Sequence, residues 1–310
     1  MLRLARNRVH GVRPLPMPEH LRANHARLVD GPGFEASLKR HYFKDDEAWF
    51  AHPEGAYDLQ DHLSGRMNRA RAQIIPWVSE QVPLAGKRVL EIGCGTGSST
   101  VAFVEQKALV TTYDLDEKSV VVARDRLAAH GLEADVRLQS TQPEGTFDVI
   151  LMYAVLEHMT LDERLGAIRE AWDKLSAGGI LVIVETPNRL WYYDDHTAQT
   201  NFFLWLPDDL ALLYTKRTPR PRYVDVTDPL DLIRWGRGVS FHDFEVALDL
   251  PCGELPVVSS MTHWLRRETR TDRLGRNDRD RRWERMLKEI HPAMHEGFTT
   301  TYLDLILRKT

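Results

Sequence analysis

Short apolar runs alternate with amphipathic segments between residues 87 and about 187. Five of these runs predict β-strands: RVLEIG, ALVTTYD, DVRLQS, FDVILMYAV and GILVIVE. Helices are predicted over 98–105, 117–130 and 161–175, the last closed by Ala-Gly-Gly. The fourth run is almost entirely apolar, as expected for a strand buried on both faces. Strands and helices alternating at these lengths predict right-handed βαβ units and a doubly wound, mostly parallel α/β sheet.

The regions on either side have a different pattern. Residues 1–86 are largely helical in pattern and predict an N-terminal helical cap, in which Leu59, Leu63 and Met67 recur at helical spacing. Residues 87–310 are expected to form the main domain. An irregular, aromatic insertion covers about 188–240, and a helix over 241–248, a weak strand over 256–260, a helix over 279–290 and a strand over 299–309 follow it.

Composition narrows the class of protein. The chain has 310 residues, of which 43% are hydrophobic, so it can bury a full core. A net charge of -4 does not favour nucleic acid as a partner. The two cysteines, Cys94 and Cys252, lack metal-ligand or CxxC spacing, which favours a reducing, cytoplasmic compartment. We expect no membrane span, because no apolar run approaches the required length.

The most informative motif is VLEIGCGTG at residues 89–97. A buried strand leads into Gly93, Gly95 and Gly97, and a helix follows. Glycine is required where the backbone turns sharply or where a ligand lies against it. In an open parallel sheet this turn lies at the carboxyl edge, where ligands bind. A dinucleotide fingerprint would need glycine at Ser98, and a P-loop would need a lysine, so neither motif is present.

Further features accompany this loop: Glu91 before it, Asp114 at the end of the next strand, FDVI opening the fourth strand and two glycines before the fifth. Over residues 60–190 this array resembles the class I S-adenosylmethionine-dependent methyltransferases. The resemblance implies a Rossmann-like sheet with an antiparallel C-terminal strand, S-adenosylmethionine as cofactor and methyltransferase activity. A glycine turn without a ligand is the structural alternative, and some members of the family bind the cofactor without turnover.

The resemblance also implies roles for individual residues. Four loop positions are expected under the methionine part of the cofactor: Gly93, Cys94, Gly95 and Gly97. Five further contacts are expected: Glu91 near the ammonium, Asp114 on the ribose hydroxyls, Leu115 against the adenine, Ser140 at the base and Tyr153 on the methionine side. Acidic residues suit a cofactor that carries a sulfonium and an ammonium but no phosphate. Arg66, on the helix before the first strand, is expected to meet the cofactor carboxylate.

Two histidines are candidates for the catalytic base, since a hydroxyl acceptor must lose a proton during methyl transfer. His158 follows the fourth strand in YAVLEHM, and His196 lies in ETPNRLWYYDDHT beyond the fifth. Asp194 and Asp195 could orient the His196 imidazole or raise its pKa. The alternatives are that His158 caps a helix or shapes the pocket, and that His196 lies in a solvated turn. No metal site is expected, because DDH alone supplies too few ligands.

The acceptor is the least determined part of the function. TPNRLWYYDDHT, LWLP and RGVSFHDFE resemble a subset of methyltransferases found with glycan or cell-envelope biosynthesis. We therefore expect O-methylation of a sugar, glycan or other small hydroxyl acceptor. The alternatives are N- or C-methylation of a small molecule, as in quinone-type relatives, and cofactor binding without turnover. Aromatic residues of the insertion could stack on the acceptor or form a small core of their own. The arginines between 266 and 285 are expected on a solvated, salt-paired face.

Overall fold

The computed structural model describes residues 32–269 and 278–310. Nine strands are present in this part of the chain: β1 Arg88–Ile92, β2 Leu109–Asp114, β3 Asp135–Leu138, β4 Phe147–Tyr153, β5 Leu175–Val184, β6 Tyr193–Asp194, β7 Thr200–Asn201, β8 Val257–Ser260 and β9 Leu305–Arg308. Seven of them form one sheet in the order β3-β2-β1-β4-β5-β9-β8, and β6 pairs with β7. Strands β1 to β5 are parallel, whereas β9 is antiparallel to both β5 and β8. The predicted doubly wound fold with an antiparallel C-terminal strand is confirmed.

The described α-helices lie before, between and after these strands. They are α1 Pro32–Ser37, α2 Glu47–Ala51, α3 Pro53–Gln60, α4 Arg66–Arg69, α5 Ile75–Ser79, α6 Ser98–Glu105, α7 Glu117–Ala129, α8 Leu161–Lys174, α9 Asp208–Tyr214, α10 Pro229–Gly236, α11 Phe241–Ala247, α12 Met261–Thr269 and α13 Asp278–Ile290. Across residues 32–269 and 278–310, no helix combines the length and apolarity that crossing a membrane requires.

The sheet is buried between two apolar layers, and β4 contributes to both. Val149 and Leu151 pack into a layer with α5 and α6, whereas Ile150 and Met152 pack into the opposite layer with α8 and α11. Successive side chains of a strand point to opposite faces, so a strand covered on both faces must be apolar throughout. This burial explains the unbroken apolar run of the fourth predicted strand.

Hydrogen bonds of one buried arginine connect the N-terminal helical segment to the glycine loop. The helical spacing of Leu59, Leu63 and Met67 corresponds to α3, α4 and α5, which are joined by the π-helical turns Asp61–Gly65 and Ala70–Ile74. Such turns place an extra residue in the helix and are frequent at functional sites. The buried Arg126 of α7 donates to the carbonyl of Thr96, 2.7 Å away, and to that of His62. Its guanidinium also lies 4.1 Å from the ring centre of Phe34, so one side chain holds three segments together.

Two predicted boundaries were wrong. The Ala-Gly-Gly segment does not close the helix, because α8 ends at Lys174 and the two glycines lie inside β5, where the register against β4 shifts. The final strand is shorter than predicted. Residues 299–304 instead contact the insertion, where the Asn188 side chain donates to the carbonyls of Gly297 and Thr300, each 2.8 Å away.

The insertion has a core of its own. Its buried members are Ala198, Phe203, Leu204, Ala211, Tyr223, Val226 and Leu232. Arg237 is buried beside this core, where its side chain donates to Asp208 and to the carbonyls of Phe203 and Leu206. A guanidinium with all these acceptors can be buried without leaving unsatisfied donors. The insertion is therefore an ordered structure that can hold His196 in a fixed place.

Candidate cofactor and acceptor site

Two adjoining cavities lie at the carboxyl edge of the sheet. The first, about 280 Å³, is called the histidine cavity because His62, His158 and His196 line it. The second, about 510 Å³, is called the Ser140 cavity. Gly93, Asp114 and Val155 line both of them, so the end of β1 and the end of β2 meet where the two cavities join.

The glycine loop forms the floor of this junction. Gly93, Cys94 and Gly95 line the histidine cavity. Gly93 has φ +78°, and a Cβ there would lie 3.0 Å from the side chain of Val155. Gly97 lines neither cavity in this structure; a Cβ there would lie 2.9 Å from the Cα of Ala123, so this glycine allows the loop to pack on α7.

Asp114 fixes the loop and faces both cavities. Its Oδ2 accepts a hydrogen bond from the Gly95 amide at 2.9 Å, and its Oδ1 accepts one from the Asp116 amide at 3.0 Å. A carboxylate offers about four acceptor positions, so both oxygens can still accept from a ligand. The geometry therefore places Asp114 where two hydroxyls of a ligand could be bound together.

Glu91 lies elsewhere than expected. It is 1% exposed and lines neither cavity, and its carboxyl oxygens accept hydrogen bonds from the hydroxyls of Ser99 and Thr100. Burial raises its pKa to about 7. The expected place beside the cofactor ammonium is therefore not found; Glu91 instead supports the first turn of α6 below the loop.

The Ser140 cavity is lined by both apolar and polar side chains. Leu115 and Ser140 line it, together with Gln142, which the sequence did not single out. The Gln142 amide donates to the carbonyl of Ala167 at 3.0 Å, while its buried Oε1 has no hydrogen-bond partner among the described residues. A buried carbonyl oxygen without a partner is costly, so a donor group of a ligand would stabilise it.

His158 has a defined tautomer. It ends the 3₁₀ turn Leu156–His158, and its Nδ1 lies 2.7 Å from the carbonyl oxygen of Arg234. Because a carbonyl can only accept, Nδ1 carries the proton, and Nε2 keeps its lone pair when the ring is neutral. Burial is the main cause that lowers the pKa of His158 below 6.5. The Arg234 guanidinium donates in return to the His158 carbonyl at 2.7 Å, which clamps the turn to α10.

His196 lines the same cavity, with its ring centre 5.8 Å from that of His158. The expectation that the neighbouring acids raise its pKa was wrong. Asp194 accepts hydrogen bonds from the amides of His196, Thr197 and Ala198, and so holds the turn rather than the ring. Burial first, and then nearby positive groups, lower the pKa of His196 to about 3. The imidazole is therefore neutral and a weak base.

Glu157 is the least expected residue of the site. It is fully buried, lines the histidine cavity, and neither carboxyl oxygen has a hydrogen-bond partner among the described residues. Burial raises its pKa to about 8. Gly236 makes room for it: with φ +112°, a Cβ there would lie 2.9 Å from the His196 ring and 3.5 Å from Glu157 Cγ.

These side chains also form a candidate cation site. Glu157, His158 and His196 each offer one ligand atom, and the three atoms lie within 4.8 Å of one another. No other such group occurs in residues 32–269 and 278–310. A carboxylate and two imidazoles are a donor set that divalent transition metals accept.

The N-terminal helices complete the histidine cavity. Arg66 and Tyr153 both line it, with the guanidinium 6.0 Å from the tyrosine ring centre. Arg66 is paired with Asp61 at 3.2 Å, and Arg69 donates to the Tyr153 hydroxyl at 3.2 Å. A positive group thus lines the cavity next to the glycine loop.

The aromatic residues of the insertion do not line either cavity. Phe203 belongs to the core of the insertion, while Phe202 and Trp205 are exposed. The interpretation as an internal core therefore holds for Phe203, and the described cavities give no support to stacking on an acceptor.

Comparisons with known proteins show the family to which the chain belongs. A family model described as "Methyltransferase domain" matches residues 90–183. A ubiquinone biosynthesis O-methyltransferase from Xylella fastidiosa is 30% identical over 212 residues, which cover 66% of this chain and 76% of that protein. The chain therefore belongs to the class I S-adenosylmethionine-dependent methyltransferase family, whose cofactor is S-adenosylmethionine.

Other similarities are partial. A protein of the same name from Stutzerimonas stutzeri is 36% identical over 121 residues, 37% of this chain, and the chain spans about half of that relative's length (50%). Among solved structures, magnesium protoporphyrin IX methyltransferase from Synechocystis with bound S-adenosylmethionine shares 22% identity, with a TM-score of 0.38 and coverage of 52% of this chain and 73% of that one. The ubiquinone biosynthesis O-methyltransferases among these relatives do not support the glycan or cell-envelope subset expected from the sequence.

Proposed function

We propose that this protein transfers a methyl group from S-adenosylmethionine to a hydroxyl of a small molecule in the histidine cavity. The observation that carries the proposal is the His158 ring, which lines that cavity and whose Nδ1 is held by the Arg234 carbonyl, so that Nε2 keeps its lone pair. A base held next to the methyl donor is what an oxygen acceptor requires.

The residues present fit the cofactor. A nucleoside placed with its base in the Ser140 cavity would have its ribose hydroxyls at Asp114 and an amino group near the unpartnered Oε1 of Gln142. Its amino-acid part would lie over Gly93 and Gly95 towards Arg66. When bound, S-adenosylmethionine supplies an electrophilic methyl group on a sulfonium.

We assign the role of base to His158 rather than to His196. General-base catalysis works best when the pKa of the base lies near the working pH. Burial lowers the pKa of His196 to about 3, whereas the lowering of the pKa of His158 by burial is opposed by the hydrogen bond from its Nδ1 to the Arg234 carbonyl. His158 Nε2 accepts the acceptor's proton, and the Arg234 carbonyl stabilises the imidazolium through Nδ1. His196 bounds the cavity as a neutral ring.

The acceptor that fits best is a small hydroxylated ring. The histidine cavity, about 280 Å³, is small, and the names of the relatives point to ubiquinone biosynthesis rather than to sugars. A cytoplasmic location is part of the proposal, and the two free cysteines, Cys94 and Cys252, are compatible with it.

A methyl-transfer assay with single variants tests this proposal. S-adenosylhomocysteine formation is measured with a panel of phenols, hydroxylated quinone precursors, sugars and amines. We expect turnover with hydroxylated rings, and His158→Ala should lower kcat by about 10²–10⁴-fold while cofactor affinity changes little. His196→Ala should lower kcat less. The exposed His242, which lines neither cavity, serves as control through His242→Ala.

Three results would contradict parts of the proposal. Turnover of amines alone would exclude oxygen as the acceptor atom. Wild-type kcat in His158→Ala would remove its role as base, and cofactor binding without product from any acceptor would indicate a binding protein.

A further inference from the structure

Arg234, on helix α10, contacts His158 through both its main chain and its side chain. Its carbonyl accepts a hydrogen bond from His158 Nδ1 at 2.7 Å, and its guanidinium donates to the His158 carbonyl, also at 2.7 Å. The first bond holds the ring, and the second holds the main chain of the same residue. A third bond joins the turn to the end of α10, because the Arg237 amide donates to the Glu157 carbonyl at 3.2 Å. The orientation of the His158 ring therefore depends on α10.

The Arg234 guanidinium is itself held in place by Glu163. Two hydrogen bonds of 2.7 Å join it to the two carboxyl oxygens, and the same Nη1 donates to Glu163 and to the His158 carbonyl. Glu163 also accepts from the Thr160 amide at 2.8 Å, as part of the capping box that begins α8. A bidentate pair of arginine and carboxylate has a defined geometry as well as opposite charges. The guanidinium is thus fixed between the start of α8 and the turn that carries His158.

Stability of the fold is a weak explanation for this ion pair. The Arg234 and Glu163 side chains are 43% and 47% exposed. Pairs exposed to this extent add little to the free energy of unfolding, because water and salt screen the charges. A guanidinium does supply direction, since its donors lie at fixed angles, whereas the ammonium of a lysine sits on a flexible stem. The main consequence of the pair is therefore where it places the His158 main chain.

We propose that Arg234 is a positioning residue that holds the His158 ring in the orientation for taking the acceptor's proton. This inference rests on the proposed role of His158 as base. Without the guanidinium, the turn Leu156–His158 loses one of its bonds to α10 and can shift. A shift of about 1 Å in reacting groups can lower a rate about 10²-fold. Arg234 also lines the Ser140 cavity, so direct contact with the cofactor is the alternative that the experiment must separate.

Methyl-transfer kinetics of Arg234→Met and Arg234→Lys separate these two roles. Methionine removes the donors and the charge, whereas lysine keeps the charge and loses the fork of donors. We expect Arg234→Met to lower kcat at least about tenfold, with the Kd for S-adenosylhomocysteine and the Tm unchanged. Arg234→Lys should recover part of the lost kcat. Arg137→Met is the matched control, because Arg137 forms an equally exposed pair with Asp135 (44% and 46%) and lines neither cavity.

Two further measurements show whether Arg234 acts through His158. Added to His158→Ala, Arg234→Met should lower kcat no further, because the ring that it positions is absent. Nitrogen-15 NMR of the imidazole ring needs no turnover: the His158 signal, identified by its loss in His158→Ala, should show a proton on Nδ1 in the wild type and a mixture of tautomers in Arg234→Met. Glu163→Gln keeps the capping box but loses the charge that holds the guanidinium, so it should lower kcat too and replaces Arg234→Met if that variant does not fold.

Three outcomes would overturn the positioning role. The first is an unchanged His158 tautomer in Arg234→Met, whether or not an acceptor is turned over. The second is a loss of affinity for S-adenosylhomocysteine with kcat unchanged, which would assign Arg234 to the cofactor. The third is a further fall in kcat when Arg234→Met is added to His158→Ala, which would mean that Arg234 acts independently of the ring. Wild-type kcat in His158→Ala would instead refute the proposed base, a result that no Arg234 variant can give.

Discussion

Replacing Glu157 by glutamine should change how the stability of the protein depends on pH. The Glu157 carboxyl is fully buried, and its pKa is raised from 4.5 to about 8. The folded protein thus keeps a proton that the unfolded chain releases between these values. The stabilisation is fully present below pH 4.5 and is lost as the pH rises through about 8. Glu157→Gln keeps the shape of the side chain but cannot ionise.

The size of the effect follows from this shift. One pKa unit corresponds to about 1.4 kcal/mol, so the wild type should lose about 3 kcal/mol relative to Glu157→Gln between about pH 5 and about pH 8. The lowered pKa values of His158 and His196 affect both proteins alike, so their contributions cancel in the difference.

Urea denaturation of both proteins over this pH range, with a chelator present, measures the difference in free energy of unfolding. The chelator removes any cation from the group that Glu157 forms with the two histidines. Glu144→Gln, at an exposed position, is the control and should give no trend. Parallel pH profiles for wild type and Glu157→Gln would refute the assignment of a buried, protonated carboxyl.

Three further predictions concern the site. Gly236→Ala should lower kcat and destabilise the fold by about 1–3 kcal/mol, since its Cβ would meet the His196 ring at a strained φ; unchanged kinetics and Tm would contradict this. The rate should rise with pH through a midpoint below about 6.5, because the lowered pKa of His158 keeps it a free base above that point; a pH–rate profile whose acidic limb survives in His158→Ala would refute the assignment. Gly97→Ala should weaken S-adenosylhomocysteine binding in calorimetry, because its Cβ would displace the loop from Ala123. Gly131→Ala, also at positive φ but in open space, should leave binding unchanged.

The strands and the glycine loop could be predicted because their causes are local. An apolar run such as FDVILMY forms a strand wherever both faces are covered, and Gly93 and Gly95 are needed by a turn within the same few residues. The predicted end of α8 was wrong because pairing within the sheet overrode the local preference of the glycines. Gly178 and Gly179 predict a helix end by local preference, but pairing of β5 with β4 places them inside the strand.

Most of the histidine cavity depends on contacts between distant residues. The tautomer of His158 is set by the carbonyl of Arg234, and space for Glu157 is set by Gly236. The sequence around residue 158 contains no pattern that predicts contact with Arg234 or Gly236. Asp194 shows the converse: it stands next to His196 in sequence, yet its carboxylate is used by backbone amides. The closeness of Asp194 to His196 in sequence suggested that its carboxylate would pair with the ring. In the turn, that carboxylate accepts hydrogen bonds from backbone amides instead.

The most direct measurement is a calorimetric titration of S-adenosylhomocysteine into the wild type and Asp114→Ala. We predict a single site in the wild type and a loss of at least about tenfold in affinity in Asp114→Ala, since charge-assisted hydrogen bonds to the ribose would be removed. Asp173→Ala, an exposed change on α8, should bind like the wild type. Absence of heat with the wild type, or equal affinity in a folded Asp114→Ala, would contradict a nucleoside site at the junction of the two cavities.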